Sequence, residues 1–327
     1  MQFIKKMKLS ILEREATLNK IFFNRVPRYE PYGGGSHFVT AMFEFLKSKG
    51  HEVVFHLEEG VDTIFMIDPR PGDIGYSVNH ILAYKNMHPS TKILHRINEC
   101  DARKNTKGLD EILIQSARLS DKVVFISQWL KDYFAEKGLD IEASVIYNGC
   151  KTEHFYPSEN KETDKVKIVT HHWSDNWMKG FDLYKAIDEW LSDNDEKFEF
   201  TYVGRYCKEY TPKNTKVVDP LHGKDLGDEL RKHDVYVTAS RFEPCGMHHI
   251  EGAASGMPVI YHKDTGGIVE LCKNHGEEYQ SFEEFLVKLE MVSKNIQAYK
   301  DKIDYEFLNI ERCCKSFYEE LLSMHKK

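Results

Sequence analysis

The chain has 327 residues, of which 41% are hydrophobic and 30% charged, and its formal net charge is −7. This length exceeds what one hydrophobic core usually serves, so we predict two folded domains of roughly 150 residues each. The apolar content excludes a disordered chain. Because the net charge is negative, the chain has no overall positive potential to attract nucleic-acid phosphates, so we expect no nucleic-acid partner.

Seven cysteines are scattered along the chain without a C-x-x-C pair or a segment like a secretory leader. This pattern predicts reduced thiols and a cytoplasmic protein. No apolar run reaches the ~20 residues that a membrane span needs. Residues 1–20 mix apolar side chains with lysines, which favours a helix packed on its own domain and leaves peripheral membrane contact through this segment as the alternative.

Strands and helices alternate in the first half of the chain, which predicts a parallel sheet with helical crossovers. The predicted strands are 20–23, 53–55, 63–67, 92–94, 123–126 and 144–146. The predicted helices are 36–49, 108–118 and 128–137. Residues 151–165 are polar, contain Pro157 and lack periodicity, as a linker does.

The same alternation restarts after the linker. The predicted strands are 166–170, 198–203, 216–218, 235–239 and 258–261, and the predicted helices are 182–192, 225–232 and 247–254. The tail from Ser281 is expected to be helical. Two doubly wound domains in tandem place a ligand crevice between the carboxyl edges of their sheets. The predicted fold class is therefore α/β, with two Rossmann-like domains that face a central crevice.

Two carboxylates, Glu243 and Glu251, flank a turn that follows a predicted strand and enters a helix. The first amides of a helix lack intrahelical partners, so Gly246 and Met247 can donate N–H groups to a ligand there. Carboxylates suit sugar and ribose hydroxyls because they accept strong, charge-assisted hydrogen bonds. For Glu243, a carboxylate that complements the helix dipole is the structural alternative.

This region resembles the retaining glycosyltransferases of family GT4, with the GT-B fold, whose signature is a Glu, seven residues and a second Glu. The resemblance is carried by the segments Gly33-Gly34-Gly35, 240–244, 251–253, 256–259 and 265–267. It implies an enzyme that moves a sugar from a UDP- or GDP-sugar to a hydroxyl of a glycan, glycolipid or small-molecule acceptor, with retention of the anomeric configuration.

The resemblance also implies an organisation of the chain and roles for the two carboxylates. Residues 1–155 would form the acceptor-side domain and 156–305 the nucleotide-sugar domain, with 306–327 a helix that packs back on the first. Glu251 would hold the ribose of the donor and Glu243 the transferred sugar, completed by backbone at Gly246 and Met247.

The first strand-to-helix loop of the second domain would face the donor diphosphate, whose departure cationic groups stabilise. In the family an Arg and a Lys do this. Lys179 matches the Lys, whereas the Arg is missing at about 172–174, so either a histidine or Arg205 must substitute. His171 and His172 would point to opposite sides of a strand, so we expect no metal site there. We also expect metal-independent catalysis, because Lys179 and helix-terminal amides can stabilise a departing diphosphate and no Asp-x-Asp motif is apparent at the crevice.

In the first domain, Gly34 and Gly35 precede a helix, where glycine lets the backbone approach a donor closely, with a flexible loop as the alternative. The resemblance implies that His95 faces the crevice and touches the donor sugar. Arg96 and Asp101 follow at the same sheet edge and are predicted to orient the acceptor, unless they form a plain surface ion pair.

Three other interpretations remain open from the sequence. His37 follows the glycine loop, where inverting enzymes of this fold place a general base, so an inverting transferase is one alternative. A nucleotide-sugar epimerase is the second, because a fold does not fix a function. A non-catalytic carbohydrate- or nucleotide-binding protein is the third, since the diphosphate Arg is missing.

Overall fold

The computed structural model describes residues 20–29, 33–158 and 164–326. The helix predicted to pack on its own domain over residues 1–20, and the alternative of membrane contact through this segment, lie outside the described residues apart from Lys20. Within these ranges, no helix combines the length and the apolarity that crossing a membrane requires.

The first six strands form one parallel sheet in the order β2-β1-β3-β4-β5-β6. The strands are β1 (Lys20–Phe23), β2 (Glu52–Val54), β3 (Thr63–Met66), β4 (Lys92–Ile97), β5 (Lys122–Phe125) and β6 (Ser144–Val145). The helices of this domain are α1 (Gly34–Ser48), α2 (Val78–Met87), α3 (Asp101–Lys104), α4 (Leu109–Arg118) and α5 (Gln128–Glu136). Runs such as Ile21 to Phe23 are apolar throughout because helices cover both faces of a parallel sheet.

The next six strands form a second parallel sheet in the order β12-β11-β10-β7-β8-β9. The strands are β7 (Val166–His172), β8 (Phe198–Gly204), β9 (Lys216–Val218), β10 (Val235–Thr238), β11 (Val259–His262) and β12 (Gly276–Tyr279). The accompanying α-helices are α6 (Phe181–Trp190), α7 (Gly223–Leu230), α8 (Met247–Ala254), α9 (Ile268–Cys272), α10 (Phe282–Ser293), α11 (Ile296–Lys300) and α12 (Ile310–Ser323).

The last helix, α12, returns to the first domain. The ring of Phe317 lies 4.9 Å from that of Phe38 on α1, and Cys313, Cys314 and Leu321 are buried in the same apolar cluster. The connection is anchored by two backbone hydrogen bonds that bracket Cys150, from its N–H to Leu308 and from the Ile310 N–H to its carbonyl, each 2.8 Å long.

The predicted fold class is confirmed, including the helical tail. All seven cysteines are buried and unpaired. Among the elements that the prediction missed are helix α2 and strand β12. Strand β4 also runs to Ile97, because His95, Arg96 and Ile97 pair with the neighbouring strand β5. The polar residues His95 and Arg96 at the end of this buried strand made the predicted strand too short. Because β4 continues to Ile97, His95 lies within the strand and not in the loop after it.

Candidate active site

A cleft of about 590 Å³ lies between the two domains and receives side chains from both. Its walls form where the strands of each sheet end, as the topology requires. The lining includes Gly34, Gly35, His37, Arg96, Asn98 and Arg103 of the first domain and His171, Lys179, Glu243, Gly246, Met247 and Glu251 of the second. The structure therefore brings most of the predicted site residues together.

Backbone hydrogen bonds to the loop after β11 hold Glu243 in place. Its N–H donates to the Thr265 carbonyl at 3.0 Å, and its own carbonyl accepts the Gly267 N–H at 3.0 Å. The preceding residue, Phe242, has a φ of 50°, which is unusual for a residue with a side chain. The chain thus turns sharply at this point and directs the Glu243 carboxylate into the cleft.

Two cations hold the Glu243 carboxylate. Nζ of Lys179 lies 2.5 Å from Oε2, and Nε of Arg103 lies 2.9 Å from Oε1. Burial alone would raise the pKa of Glu243, but attraction to Arg103 and Lys179 lowers it to about 2. Glu243 is therefore ionised at neutral pH and accepts hydrogen bonds rather than donating a proton.

A left-handed glycine positions Lys179. Gly180 has a φ of +87°, and a Cβ at this residue would lie 2.2 Å from that of Ala239. Glycine therefore lets the short 3₁₀ turn Trp177–Lys179 lie against the end of β10. Burial lowers the pKa of Lys179, and the charge of Glu243 opposes that effect.

Glu251 lies on α8, facing the same cleft. Its Oε2 is 2.8 Å from Nε2 of His171, and its Oε1 is 3.9 Å from Nδ1 of His37. Burial would raise the pKa of Glu251, but the His171 hydrogen bond lowers it below its usual range. Gly246 precedes α8 and makes no side-chain capping bond, so the first amides of this helix remain available on the cleft wall.

The two domains approach each other closely at Gly34. A Cβ there would lie 2.3 Å from Cγ of Met247, so a larger residue would push the walls of the cleft apart. Asn148 spans the domains nearby. It accepts a 2.9 Å bond from Arg96 and donates a 2.7 Å bond to the Cys245 carbonyl. Arg96 therefore lines the cleft, where it is buried and held in place, and it is not part of a surface ion pair.

The structure does not bring His95 to the cleft. Its side chain lies within β4 with no exposed surface, and no described residue forms a hydrogen bond with its imidazole nitrogens. Burial lowers the pKa of His95 to about 3, which keeps the ring neutral. The predicted crevice-facing position of His95 is not found, because the strand extends past this residue.

Asp101 and Arg205 also lie elsewhere than predicted. The Asp101 carboxylate accepts N–H bonds from Leu109 at 3.3 Å and Asp110 at 3.0 Å, so it caps helix α4. Arg205 is exposed and stacks on the ring of Trp173 at 4.1 Å. Neither is among the residues that line the cleft. Local structure, namely a helix terminus and an exposed turn, accounts for both.

The histidines at the end of β7 have separate partners. Nε2 of His172 lies 2.7 Å from the Tyr184 hydroxyl, whereas His171 contacts Glu251. Burial lowers the pKa of His172 well below its usual value. Across the described residues, no group of three or more His, Cys, Asp or Glu side chains is arranged to hold a metal ion.

Sequence reasoning missed Arg103, Asn148 and the role of His171. A partial signal existed for Arg103, which lies one helical turn after Glu99 and forms a 2.9 Å ion pair with it. No sequence pattern indicates that the same guanidinium also reaches Glu243, because that contact joins residues far apart in the chain.

The second domain is similar to a known protein family. Residues 168–303 match the family model of the glycosyl transferases group 1. None of the curated protein sequences matches the chain.

Several solved structures have a similar fold. Sucrose-phosphate synthase from Thermosynechococcus elongatus is 14% identical, with 93% of this chain and 99% of that chain covered and a TM-score of 0.70. HepE of Anabaena in complex with UDP is 14% identical. The match covers 93% of this chain and 100% of HepE, with a TM-score of 0.72. WaaG, a glycosyltransferase involved in lipopolysaccharide biosynthesis, is 13% identical. The match covers 91% of this chain and 99% of WaaG, with a TM-score of 0.60.

At these identities the solved structures establish the fold, and the family match covers the second domain. The chain therefore has the GT-B architecture with a second domain similar to group 1 glycosyltransferases, and together these findings support a transferase enzyme.

Proposed function

We propose that the protein transfers a sugar from a nucleotide-sugar donor to an acceptor hydroxyl of a glycan or glycolipid, with retention of the anomeric configuration. One observation carries this proposal: Glu243 lies ionised in the interdomain cleft between Lys179 and Arg103. A fixed carboxylate is suited to the hydroxyls of a sugar, and neighbouring cations are suited to a diphosphate.

The donor would lie mainly on the second domain. Glu251 is the candidate for the ribose hydroxyls, because it lines the cleft on α8 and His171 holds one of its oxygens. The open amides of Gly246 and Met247 would complete the sugar pocket. Glu243 and Glu251 would then act as the Glu-x7-Glu pair of family GT4. HepE of Anabaena was solved with UDP, so UDP is the first nucleotide to test.

Retention requires the acceptor to attack from the face that the diphosphate leaves. As the acceptor oxygen bonds to the anomeric carbon, the bond from that carbon to the phosphate oxygen breaks, and its electron pair stays on the phosphate. The diphosphate then takes the acceptor proton, so no side-chain base is needed. Lys179, placed by its pair with Glu243, would stabilise the charge that develops on the leaving group.

The acceptor would enter along the first domain. Arg96 lines the cleft on this side, and its guanidinium is fixed by Asn148 and by stacking at 4.0 Å on Phe38. Such a rigid donor group suits an acceptor hydroxyl or carboxylate. We propose Arg96 as the acceptor-side contact.

A second candidate is an inverting transfer with His37 as the general base. His37 lines the cleft, and its Nδ1 lies 3.9 Å from the Glu251 carboxylate. An imidazole placed beside the acceptor suits proton abstraction, typically worth ~10² to 10⁴ in rate.

Two measurements test the proposal. In a thermal-shift screen against UDP, GDP, ADP and their sugars, a ligand at ~100 times its dissociation constant should stabilise the chain by about 2.7 kcal/mol. Proton NMR of the fresh product should then show the retained anomer. An inverted anomer, with loss of transfer in His37→Ala while donor binding persists, would establish the second candidate instead.

A further inference from the structure

The second domain provides few positive charges to the cleft. Among the described residues that line it, Lys179 is the single Lys or Arg of this domain. His172, within the stretch 172–174 where the family resemblance would place an Arg, is buried and neutral beside Tyr184. Arg205 lies outside the lining and stacks on Trp173. A donor diphosphate carries at least two negative charges, and the second domain offers it a single ammonium group, that of Lys179.

The first domain supplies a second cation at the same point. Arg103 lies on α3, lines the cleft and reaches across it to Glu243. Arg103 and Lys179 each bind one oxygen of that carboxylate, so both cations lie next to each other on opposite walls. The Arg103 side chain keeps 28% of its surface exposed. Its Nε pairs with Glu243 and its Nη1 with Glu99, so Nη2 is the nitrogen that neither carboxylate engages.

We propose that Arg103 is the second cation for the donor diphosphate, supplied by the first domain in place of the missing Arg of the second. This inference rests on the proposed function. A guanidinium presents several N–H donors in a fixed plane, so Arg103 can keep one contact to Glu243 and direct others at a phosphate oxygen. Its charge acts where the electron pair of the breaking glycosidic bond collects.

This arrangement links donor binding to domain closure. A diphosphate between Lys179 and Arg103 would be held by both domains at once, and it draws them together as it neutralises the two cations. Closure then excludes water from the anomeric carbon before transfer begins. A diphosphate site built within one domain does not have this property.

The test measures which part of the nucleotide loses affinity. Calorimetry at fixed ionic strength compares UDP, UMP and uridine on the native chain and on Arg103→Gln. We expect UDP affinity to fall about 10-fold or more, the effect of losing a charged hydrogen bond, and uridine affinity to change less than about twofold. Lys107→Gln is the control. Lys107 is exposed, lies four residues further along the chain and does not line the cleft; its loss should change UDP affinity less than about twofold.

A second variant separates phosphate binding from a purely structural interdomain contact. If Arg103 served only to hold Glu243, then Glu243→Gln and Arg103→Gln would weaken UDP binding alike. We expect Glu243→Gln to bind UDP at least as tightly as the native chain, because it frees Arg103 for the phosphates. Arg103→Lys, which keeps the charge, should recover part of the loss.

The outcomes separate this inference from the proposed function. Equal losses for UDP and uridine in Arg103→Gln, or equal effects of the Glu243 and Arg103 variants, would overturn the role of Arg103 and leave the transferase intact. A native chain that binds none of UDP, GDP and ADP would overturn both.

Discussion

Nε2 of His171, near the end of β7, lies 2.8 Å from Oε2 of Glu251 on α8. The bond joins a strand and a helix of the second domain and fixes one oxygen of the carboxylate, while the other lies towards His37 of the first domain. A carboxylate held in this way is pre-organised, so its ligand does not have to order it.

Replacing Glu251 by Ala should weaken nucleotide binding. If this carboxylate holds the ribose, its loss removes hydrogen bonds to a charged group, which are worth ~1.5 to 3 kcal/mol. Calorimetry with UDP on the folded variant measures the effect. Glu278→Ala, at an exposed position of β12, is the control and should bind UDP normally. Unchanged affinity in Glu251→Ala would reject the ribose assignment.

We expect transfer to proceed without a divalent metal. Lys179 and the open helix amides at Gly246 and Met247 can stabilise a departing diphosphate. The initial rate should therefore be the same in a chelator as in magnesium or manganese. Loss of transfer in the chelator, with recovery on adding either ion, would show that this expectation is wrong.

Changing His95 to Leu should leave transfer intact. The side chain is fully buried in β4 and does not line the cleft, so kcat should stay within about threefold of the native value. A general acid–base or sugar-binding role would instead cost ~10² to 10⁴ in rate. Steady-state kinetics on the folded variant distinguishes the two cases.

The same variant should be less sensitive to acid. The pKa of His95 is about 3 in the folded chain and about 6.5 when unfolded. Below pH 6.5 the unfolded chain binds a proton at His95 that the folded chain does not bind. The free energy of unfolding therefore falls by about 1.4 kcal/mol for each pH unit below that value, whereas above pH 6.5 it is unaffected by His95. Between pH 7 and 5 the native chain should lose about 2 kcal/mol more than His95→Leu in urea unfolding. Equal losses would indicate that His95 is protonated in the folded state.

Asp101→Ala should lower stability without changing the acceptor KM. The carboxylate caps the first turn of α4 through the N–H groups of Leu109 and Asp110, and losing a helix cap costs about 1 to 2 kcal/mol. Urea unfolding measures the loss, and Asp140→Ala is an exposed control. A raised acceptor KM with unchanged stability would restore the predicted acceptor role.

Local patterns were enough to predict most of the fold. Apolar runs such as Val123 to Ile126 and the glycine or proline boundaries between them identified most strands of both sheets. Helix α2 was missed because its buried face consists of little more than Ile81 and Tyr84, so it lacks a clear apolar stripe. Strand β12 was missed because two of its four residues are Glu277 and Glu278, although the strand pairs in parallel with β11.

The candidate site divides in the same way. The sequence by itself determined residues whose neighbours along the chain define their position, such as Glu243 in its turn and Glu251 on its helix. Tertiary structure alone decided that Arg103 and Lys179 share Glu243, that His171 holds Glu251, and that His95 lies inside a strand. The physical reason is that periodicity and turn chemistry act over a few residues, whereas these contacts depend on how strands pair and how two domains face each other across the cleft.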